Sequence, residues 1–139
     1  IYIFRYKVLF RGIRTHVLLR EPIHPEPEKA RGQVLGALKA ARCFITNYRW
    51  GDPRGFRFEA NSGEGRYSMG DTIRAKNADI EVYTPLPGMI TLLRNGVIVE
   101  KKKGGRLSRR IEKSGAYRVE VRRKGRPWIY SNHIRLLNE

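Results

Sequence analysis

The chain runs GAYRVEV from Gly115 to Val121 and, after a short break, GRPWIYSN from Gly125 to Asn132; this stretch decides the fold. Apolar and charged residues alternate along its first part, as in a strand with one buried face. Lys124 and Gly125 supply a turn, and the returning strand begins near Pro127, where a missing N–H is tolerated. The stretch predicts a β-hairpin whose core-facing residues are Tyr117, Val119, Val121 and Trp128.

Further short segments with strand character, separated by Gly, Pro and Asn turns, precede this hairpin. The predicted strands cover residues 43–46, 56–60, 78–84, 89–94, 97–100, 106–111, 116–122 and 127–136. Their spacing predicts a mainly β fold, with an immunoglobulin-like antiparallel β-sandwich over residues 51–139. Tyr117 is either the tyrosine corner of such a sandwich or an ordinary core aromatic residue.

Residues 1–50 predict a helical lead-in to this β-rich body. Leu9, Ile13 and Val17 stand four apart, which predicts an amphipathic helix over residues 7–19. A second helix is expected from Pro27, a favourable first-turn residue, although its two glycines make it weak without packing. The apolar face of the second helix is predicted to consist of Ala30, Val34, Leu38 and Ala41.

Composition indicates a globular chain. At 139 residues, with 40% hydrophobic and 30% charged residues, it can bury a core, and its apolar runs are too short to cross a bilayer, so no membrane partner is expected. A single cysteine, Cys43, excludes an internal disulfide. The cytoplasm is the expected compartment.

The net charge of +16 predicts attraction to polyanions, unless the cations are only a solvated surface. Two groups stand out as a candidate polyanion-binding site: Lys101, Lys102, Lys103 and Arg106, and then Arg122, Arg123, Lys124 and Arg126. Both are expected on hairpin connections at one end of the sandwich, beside the Pro85–Gly88 turn, where they form one basic pole. The alternative is that the lysines only protect strand edges from aggregation. Aromatic residues are absent from these tips in sequence, which argues against a single-strand stacking platform.

Catalytic and metal-binding patterns are absent from the sequence. His16, His24 and His133 are scattered and lack the carboxylate spacing of a hydrolytic metal site. No Gly-Lys-Ser/Thr phosphate loop, zinc finger or RNP-like motif occurs. We therefore predict no catalytic residue, no metal ligand and no cofactor in this chain.

Several segments, taken in order, resemble one protein family. They are FRGIRTHVLL at residues 10–19, LKAARCFI at 38–45, GDPRGFRF at 51–58, MGD at 69–71 and the C-terminal hairpin. Together they are similar to the C-terminal region of proteins with a polymerase and histidinol phosphatase (PHP) metallophosphoesterase domain. Two positions depart from that family: Ala41 replaces a usual glycine at the end of a helix, and His133 replaces a usual proline.

The resemblance implies a non-catalytic C-terminal accessory domain of a metal-dependent phosphoesterase. Such an enzyme binds Zn, Mn or Fe in an N-terminal barrel whose His-x-His motif is not in this chain, and the lead-in of residues 1–50 would continue from that barrel in cis. The first alternative is a stand-alone basic module that binds nucleic acid or another polyanion weakly and without sequence preference. The second is a carbohydrate-binding or structural Ig-like module.

Overall fold

A computed structural model describes residues 10–63 and 65–138, and most of these lie in β-strands. Residues 10–12 are helical, helix α1 spans Pro27–Lys39, and a 3₁₀ helix spans Tyr48–Trp50. The strands are β1 (Ile13–Val17), β2 (Cys43–Asn47), β3 (Arg57–Ser62), β4 (Gly65–Ser68), β5 (Thr72–Arg74), β6 (Ala78–Arg94), β7 (Val97–Ile111), β8 (Gly115–Arg123), β9 (Arg126–Ser131) and β10 (Ile134–Leu137).

The strands form one curled sheet that resembles half of a barrel. Its main path runs β1-β2-β9-β8-β6-β3-β4, with β7 paired to β6 and with β10 paired to β8 and β5. The pairing of β10 with β5 is parallel, and the other pairings are antiparallel. The predicted mainly β, antiparallel fold is confirmed. Because β2 pairs with β9, the lead-in joins the same sheet as the rest of the chain.

The β8–β9 hairpin agrees with the alternation in the sequence. Lys124 and Gly125 have φ angles of 50° and 71°, the left-handed pair that a two-residue type I′ turn requires. The residues expected in the core form a buried cluster with the neighbouring strands. That cluster includes Phe44, Phe58, Ile80, Val82, Ile90, Leu92, Leu107, Tyr117, Val119, Val121, Trp128, Ile129, Ile134 and Leu136.

Two strand breaks expected from the sequence do not occur, because segments 78–84 and 89–94 fuse into β6 and segments 97–100 and 106–111 fuse into β7. The two strands make a long hairpin closed by Asn95 and Gly96. At its middle the register shifts, so that residues 84–87 of β6 lie opposite Gly105 alone. Pro85 and Pro87 have no N–H group to donate to a ladder, which accounts for the interrupted register. Because pairing with β7 resumes at Gly88, the strand bends here and does not end.

The helix predicted over residues 7–19 is wrong for Ile13–Val17, which form β1 and pair with β2; residues 7–9 lie outside the described residues. Residues four apart share a face in a helix and also in a strand, so the spacing could not separate the two. The β-branched Ile13, Thr15 and Val17 favour the strand, and β2 offers an edge that satisfies their backbone groups.

Helix α1 forms as expected, but its apolar face is not buried as a whole. Only Ala37 is buried among its 13 residues, and Leu38 is 41% exposed. The helix ends in a Schellman motif: Ala41 N–H donates to the carbonyl of Leu38 at 3.0 Å and Arg42 N–H to that of Ala37 at 2.9 Å. Ala41 itself has a φ of 57°, the left-handed conformation that glycine adopts more easily.

The end of α1 packs against the turn at Met69-Gly70-Asp71. A Cβ atom on Gly70 would lie 1.9 Å from the carbonyl oxygen of Ala40, so only glycine allows this approach. Gly70 N–H donates to the His133 carbonyl at 2.8 Å, and the Asp71 carboxylate accepts from Arg20 at 2.8 Å. The turn thus joins the lead-in to the last strand. Over the described part of the chain, no helix has the length and apolar character needed to cross a membrane.

Candidate functional site

The two predicted groups of cations meet at β6, which pairs with β7 on one side and with β8 on the other. Met89 of β6 pairs with Lys103 of β7 on one side and with Arg122 of β8 on the other. Adjacent strands are about 4.8 Å apart, so the backbones of Lys103 and Arg122 are separated by about 10 Å. Residues that are directly paired across strands point to the same face, so both cations flank Met89.

These residues line an open groove of about 860 Å³, which we call the cationic groove. It is lined by Pro87, Gly88, Met89, Lys103, Gly104, Arg122, Arg123, Lys124 and Gly125. Four of these residues are cations and none is a carboxylate. Lys103, Arg122 and Lys124 are exposed, whereas Arg123 is half-buried.

Gly88 allows β6 and β8 to approach closely beneath the groove. A Cβ atom at this position would lie 2.7 Å from the carbonyl oxygen of Arg122 and 3.1 Å from a methyl group of Val121. A side chain would therefore push β8 away from the bend in β6. The narrow separation at Gly88 and the turn at residues 124–125 together bring the four cations to one rim.

Arg123 has a structural role that the other groove cations do not share. Its Nε donates to the Pro87 carbonyl at 3.0 Å, its Nη1 donates to the Trp50 carbonyl, and its guanidinium lies 5.3 Å from the ring centroid of Trp128. Arg122 donates to the Tyr130 hydroxyl at 3.3 Å. In the described part of the chain, no carboxylate pairs with Lys101, Lys102, Lys103 or Lys124.

The expected placement of the first group on a hairpin connection is wrong, because Lys101, Lys102 and Lys103 lie inside β7. Gly104 and Gly105 let this strand continue through the bend. Lys101 shares the face of Lys103, whereas the intervening Lys102 pairs with the core residue Ile90 and lies on the other face. Arg106 and Arg126 do not line the cationic groove.

Arg106 instead lines a second groove, of about 630 Å³, on the other side of the bend; we call it the balanced groove. Arg106 pairs with Glu81 at 3.3 Å, and Arg66 pairs with Glu59. The guanidinium of Arg57 lies 5.2 Å from the ring centroid of Tyr83. This groove therefore holds carboxylates that neutralise most of its positive charge.

An aromatic hollow of about 310 Å³ adjoins the cationic groove and shares Arg123 and Lys124 with it. Its other lining residues are Tyr48, Arg49, Trp50 and Gly51. The carbonyl of Gly51 accepts from Trp128 Nε1 at 2.9 Å, which holds the 3₁₀ helix against β9. Aromatic residues are thus absent from the basic segments in sequence, but Tyr48 and Trp50 lie next to Arg123 and Lys124 in the folded chain. Trp50 and Arg123 are 73 positions apart, and no local signal predicts that they meet.

His16, in contrast, does not line the groove, and it belongs to an aromatic stack with Phe44 and Tyr48. Its ring lies 4.6 Å from that of Phe44, and its Nε2 is 3.2 Å from the Tyr48 hydroxyl. Burial, assisted by the charge of Arg14, lowers the pKa of His16, and Asp52 opposes this shift. Among the described residues, no three His, Cys, Asp or Glu side chains form a group that could hold a metal ion.

No protein-family model matches this chain, and no curated protein is similar to it at a significant level. The functional argument therefore depends on its residues and their geometry.

Proposed function

We propose that this chain is a non-catalytic C-terminal accessory domain of a PHP-type metal-dependent phosphoesterase, which packs against the catalytic barrel in cis in the cytoplasm. Support comes from the ordered resemblance of five segments and from the exposed apolar surface of the lead-in. The observation that carries the proposal is that surface.

Exposed large hydrophobic side chains are concentrated in the lead-in. Ten such side chains occur among the described residues, and six of them lie before residue 50. The six are Phe10 (76% exposed), Ile13 (65%), Ile23 (61%), Leu35 (46%), Leu38 (41%) and Ile45 (49%). A contiguous exposed apolar patch is typical of a surface that another protein unit covers.

Ile13 and Ile45 lie on the same outward face, since Ile45 pairs with Thr15, two residues from Ile13. They border a shallow apolar hollow of about 230 Å³ that continues to Pro127 and Tyr130 of β9. We call this surface the lead-in face. A barrel that preceded the lead-in would remove it from water, at a gain of about 25 cal/mol per Å² of apolar area.

An Ig-like arrangement of residues 51–139 is part of the same proposal. The Tyr117 hydroxyl donates to the Lys113 carbonyl at 2.6 Å, four residues upstream, as in the tyrosine corner of such domains. Burial raises the pKa of this hydroxyl. The Zn, Mn or Fe of the enzyme would belong to the barrel, because His16, His24 and His133 occupy separate parts of this fold.

The decisive experiment is to sequence the gene upstream of the codon for Ile1. We expect an open reading frame that encodes a barrel with the His-x-His motif. An independent start codon directly before this segment would overturn the proposal.

A binding experiment tests the lead-in face itself. The separately expressed barrel should bind this chain in trans, and Ile13→Asp with Ile45→Asp should weaken binding at least tenfold. The matched control is Val97→Asp with Ile98→Asp, at two exposed apolar residues, 69% and 53% accessible, at the start of β7. Equal weakening by both double variants would contradict the proposal.

A further inference from the structure

We propose that the cationic groove and the aromatic hollow together bind single-stranded nucleic acid. Phosphates contact the cations on the rim, and unstacked bases contact the apolar floor and Trp50. This inference goes beyond the accessory-domain function and stands independently of it.

The charge of the groove is available for a ligand. Elsewhere in the described part of the chain, arginines such as Arg54, Arg66 and Arg106 form ion pairs with carboxylates. Among the described residues, Lys101, Lys103 and Lys124 have no such partner, and they are exposed. The carboxylate beside them on this face, Glu120, is already paired with Arg118 at 2.5 Å. Phosphate groups can therefore displace counterions here without breaking an internal ion pair.

The floor of the groove favours a single strand over a duplex. It consists of the exposed Met89 and Pro87 with the backbone of Gly88 and Gly104. A duplex keeps its bases stacked inside, so it could use only the cationic rim. Splayed bases of a single strand can contact an apolar floor while their phosphates remain at the rim.

Trp50 extends this surface beyond the groove. It lies in the aromatic hollow, which shares Arg123 and Lys124 with the groove, so the two depressions adjoin at these residues. The exposed Arg49 guanidinium lies 5.6 Å from the ring centroid of Trp50. Aromatic rings and guanidinium planes are both surfaces on which bases stack.

Lys124 supplies a second, independent observation. It has a φ of 50° in the first position of its turn, and Asn95 has a φ of 49° at the same position of the β6–β7 turn. Asparagine adopts this conformation readily, whereas lysine does so at a cost. The β6–β7 turn thus has the favourable asparagine at this position, whereas the turn at the groove has a lysine in a strained conformation. Backbone strain of this kind is typical of binding sites.

Fluorescence anisotropy with a labelled oligothymidine of about 12 nucleotides tests the proposal over a range of salt concentrations. The groove variant combines Lys103→Gln and Lys124→Gln with Lys101→Gln, which lies beside the groove on the same face as Lys103. The control is Lys39→Gln, Lys76→Gln and Lys113→Gln, which removes the same charge from exposed lysines outside the groove. The groove variant should bind at least tenfold more weakly, and its log K against log salt slope should be shallower by about two, since each single-strand phosphate contact contributes about 0.7.

The control should change affinity by no more than about twofold. If both triple variants lose the same affinity and slope, the attraction comes from diffuse charge and the proposal fails. Thermal melting of both variants shows whether they are folded. Because the substituted lysines are exposed, we expect the substitutions to change stability only slightly.

Tryptophan fluorescence distinguishes a single strand from other polyanions. Trp128 is buried in the core, so quenching by a ligand reports on Trp50. Oligothymidine should quench this fluorescence, and Trp50→Phe should abolish the quenching. The proposal is wrong if a duplex of equal length binds more tightly than the single strand, or if phosphatidylserine vesicles bind and the oligonucleotide does not.

Discussion

The cationic groove and the balanced groove lie on opposite sides of one bend, at residues 84–87, and both are lined by Pro87. Basic side chains line both grooves. In the balanced groove Glu59 and Glu81 pair with Arg66 and Arg106, whereas the cationic groove contains no carboxylate. Similar basic content therefore gives two surfaces with different capacities for an anionic ligand.

The difference originates in β6, the strand that the grooves share. Its outward residues before the bend include Asp79 and Glu81, and Asp79 lies opposite Arg110 with a 3.5 Å ion pair. After the bend, the residues paired with Lys103 and Lys101 are the exposed Met89 and the buried Thr91, which carry no charge. Whether a cation in a sheet is free to bind an anionic ligand thus depends on the residue opposite it on the neighbouring strand. The number of basic residues alone does not show this.

The largest expected effect comes from Gly88→Ala, which breaks the geometry of the cationic groove. Because the new Cβ would lie 2.7 Å from a backbone oxygen of β8, we expect the free energy of unfolding to fall by about 2 kcal/mol. Urea denaturation measures this loss of stability. Gly36→Ala in α1, where nothing lies within 4 Å of the new Cβ, should instead stabilise the chain by up to about 1 kcal/mol. Equal effects of both substitutions would contradict the close approach.

Met89→Glu should make the cationic groove resemble the balanced one. The new carboxylate would stand between Lys103 and Arg122, with which residue 89 is paired. It should pair with them and repel phosphate, so we expect about tenfold weaker oligonucleotide binding, or about 1.4 kcal/mol. The control is Glu81→Gln, which releases Arg106 in the balanced groove. If Glu81→Gln raises affinity as much as Met89→Glu lowers it, the grooves are not distinct.

Lys124→Asn should separate the charge of the cationic groove from its conformation. Asparagine fits the left-handed position better, so the free energy of unfolding should rise by about 0.5 kcal/mol. Loss of one cation should weaken oligonucleotide binding by about threefold. Melting and anisotropy measure the two changes, which have opposite signs. A variant that loses both stability and affinity would show that Lys124 is not strained.

The smallest effect concerns His16, which lies in neither groove. Its pKa is lowered in the folded state, so the unfolded chain binds more protons as the pH falls below the ordinary value of 6.5. The contribution of the neutral His16 to stability is therefore complete above 6.5 and decreases below it. His16→Phe should flatten this part of the curve of melting temperature against pH. An unaltered pH profile would contradict the burial of the ring.

Local patterns predicted those parts of the fold that depend on neighbours in sequence. The alternation of residues 117–121 and the turn at residues 124–125 determined the β8–β9 hairpin because both act within a few residues. Strand β1 could not be distinguished from a helix, since only its pairing with β2 decides between them. The prolines and glycines near the bend suggested strand ends, but pairing on both sides carries β6 through it.

The candidate site was predictable only in part, for the same reason. The basic runs at residues 101–103 and 122–124 are visible in the sequence, and the β6 pairings bring Lys103 and Arg122 to one face. The proximity of Trp50 depends on the pairing of β2 with β9 across most of the chain, which no local pattern contains. Carboxylate pairing likewise depends on register: Arg106 is paired with Glu81, whereas Lys103 has no carboxylate partner in the part of the chain that the structure describes.

The position of β6 has a consequence for the exchange of backbone amide hydrogens. Before the bend this strand is bonded to β3 and β7, and after it to β7 and β8, so it has no open edge over most of its length. Local fraying can release outer strands such as β1 and β4, but β6 cannot open unless its pairings with β3, β7 and β8 are all lost. Its amides should therefore exchange only through global unfolding, and the slowest rates, at residues such as Ile80 and Leu92 on either side of the bend, should coincide.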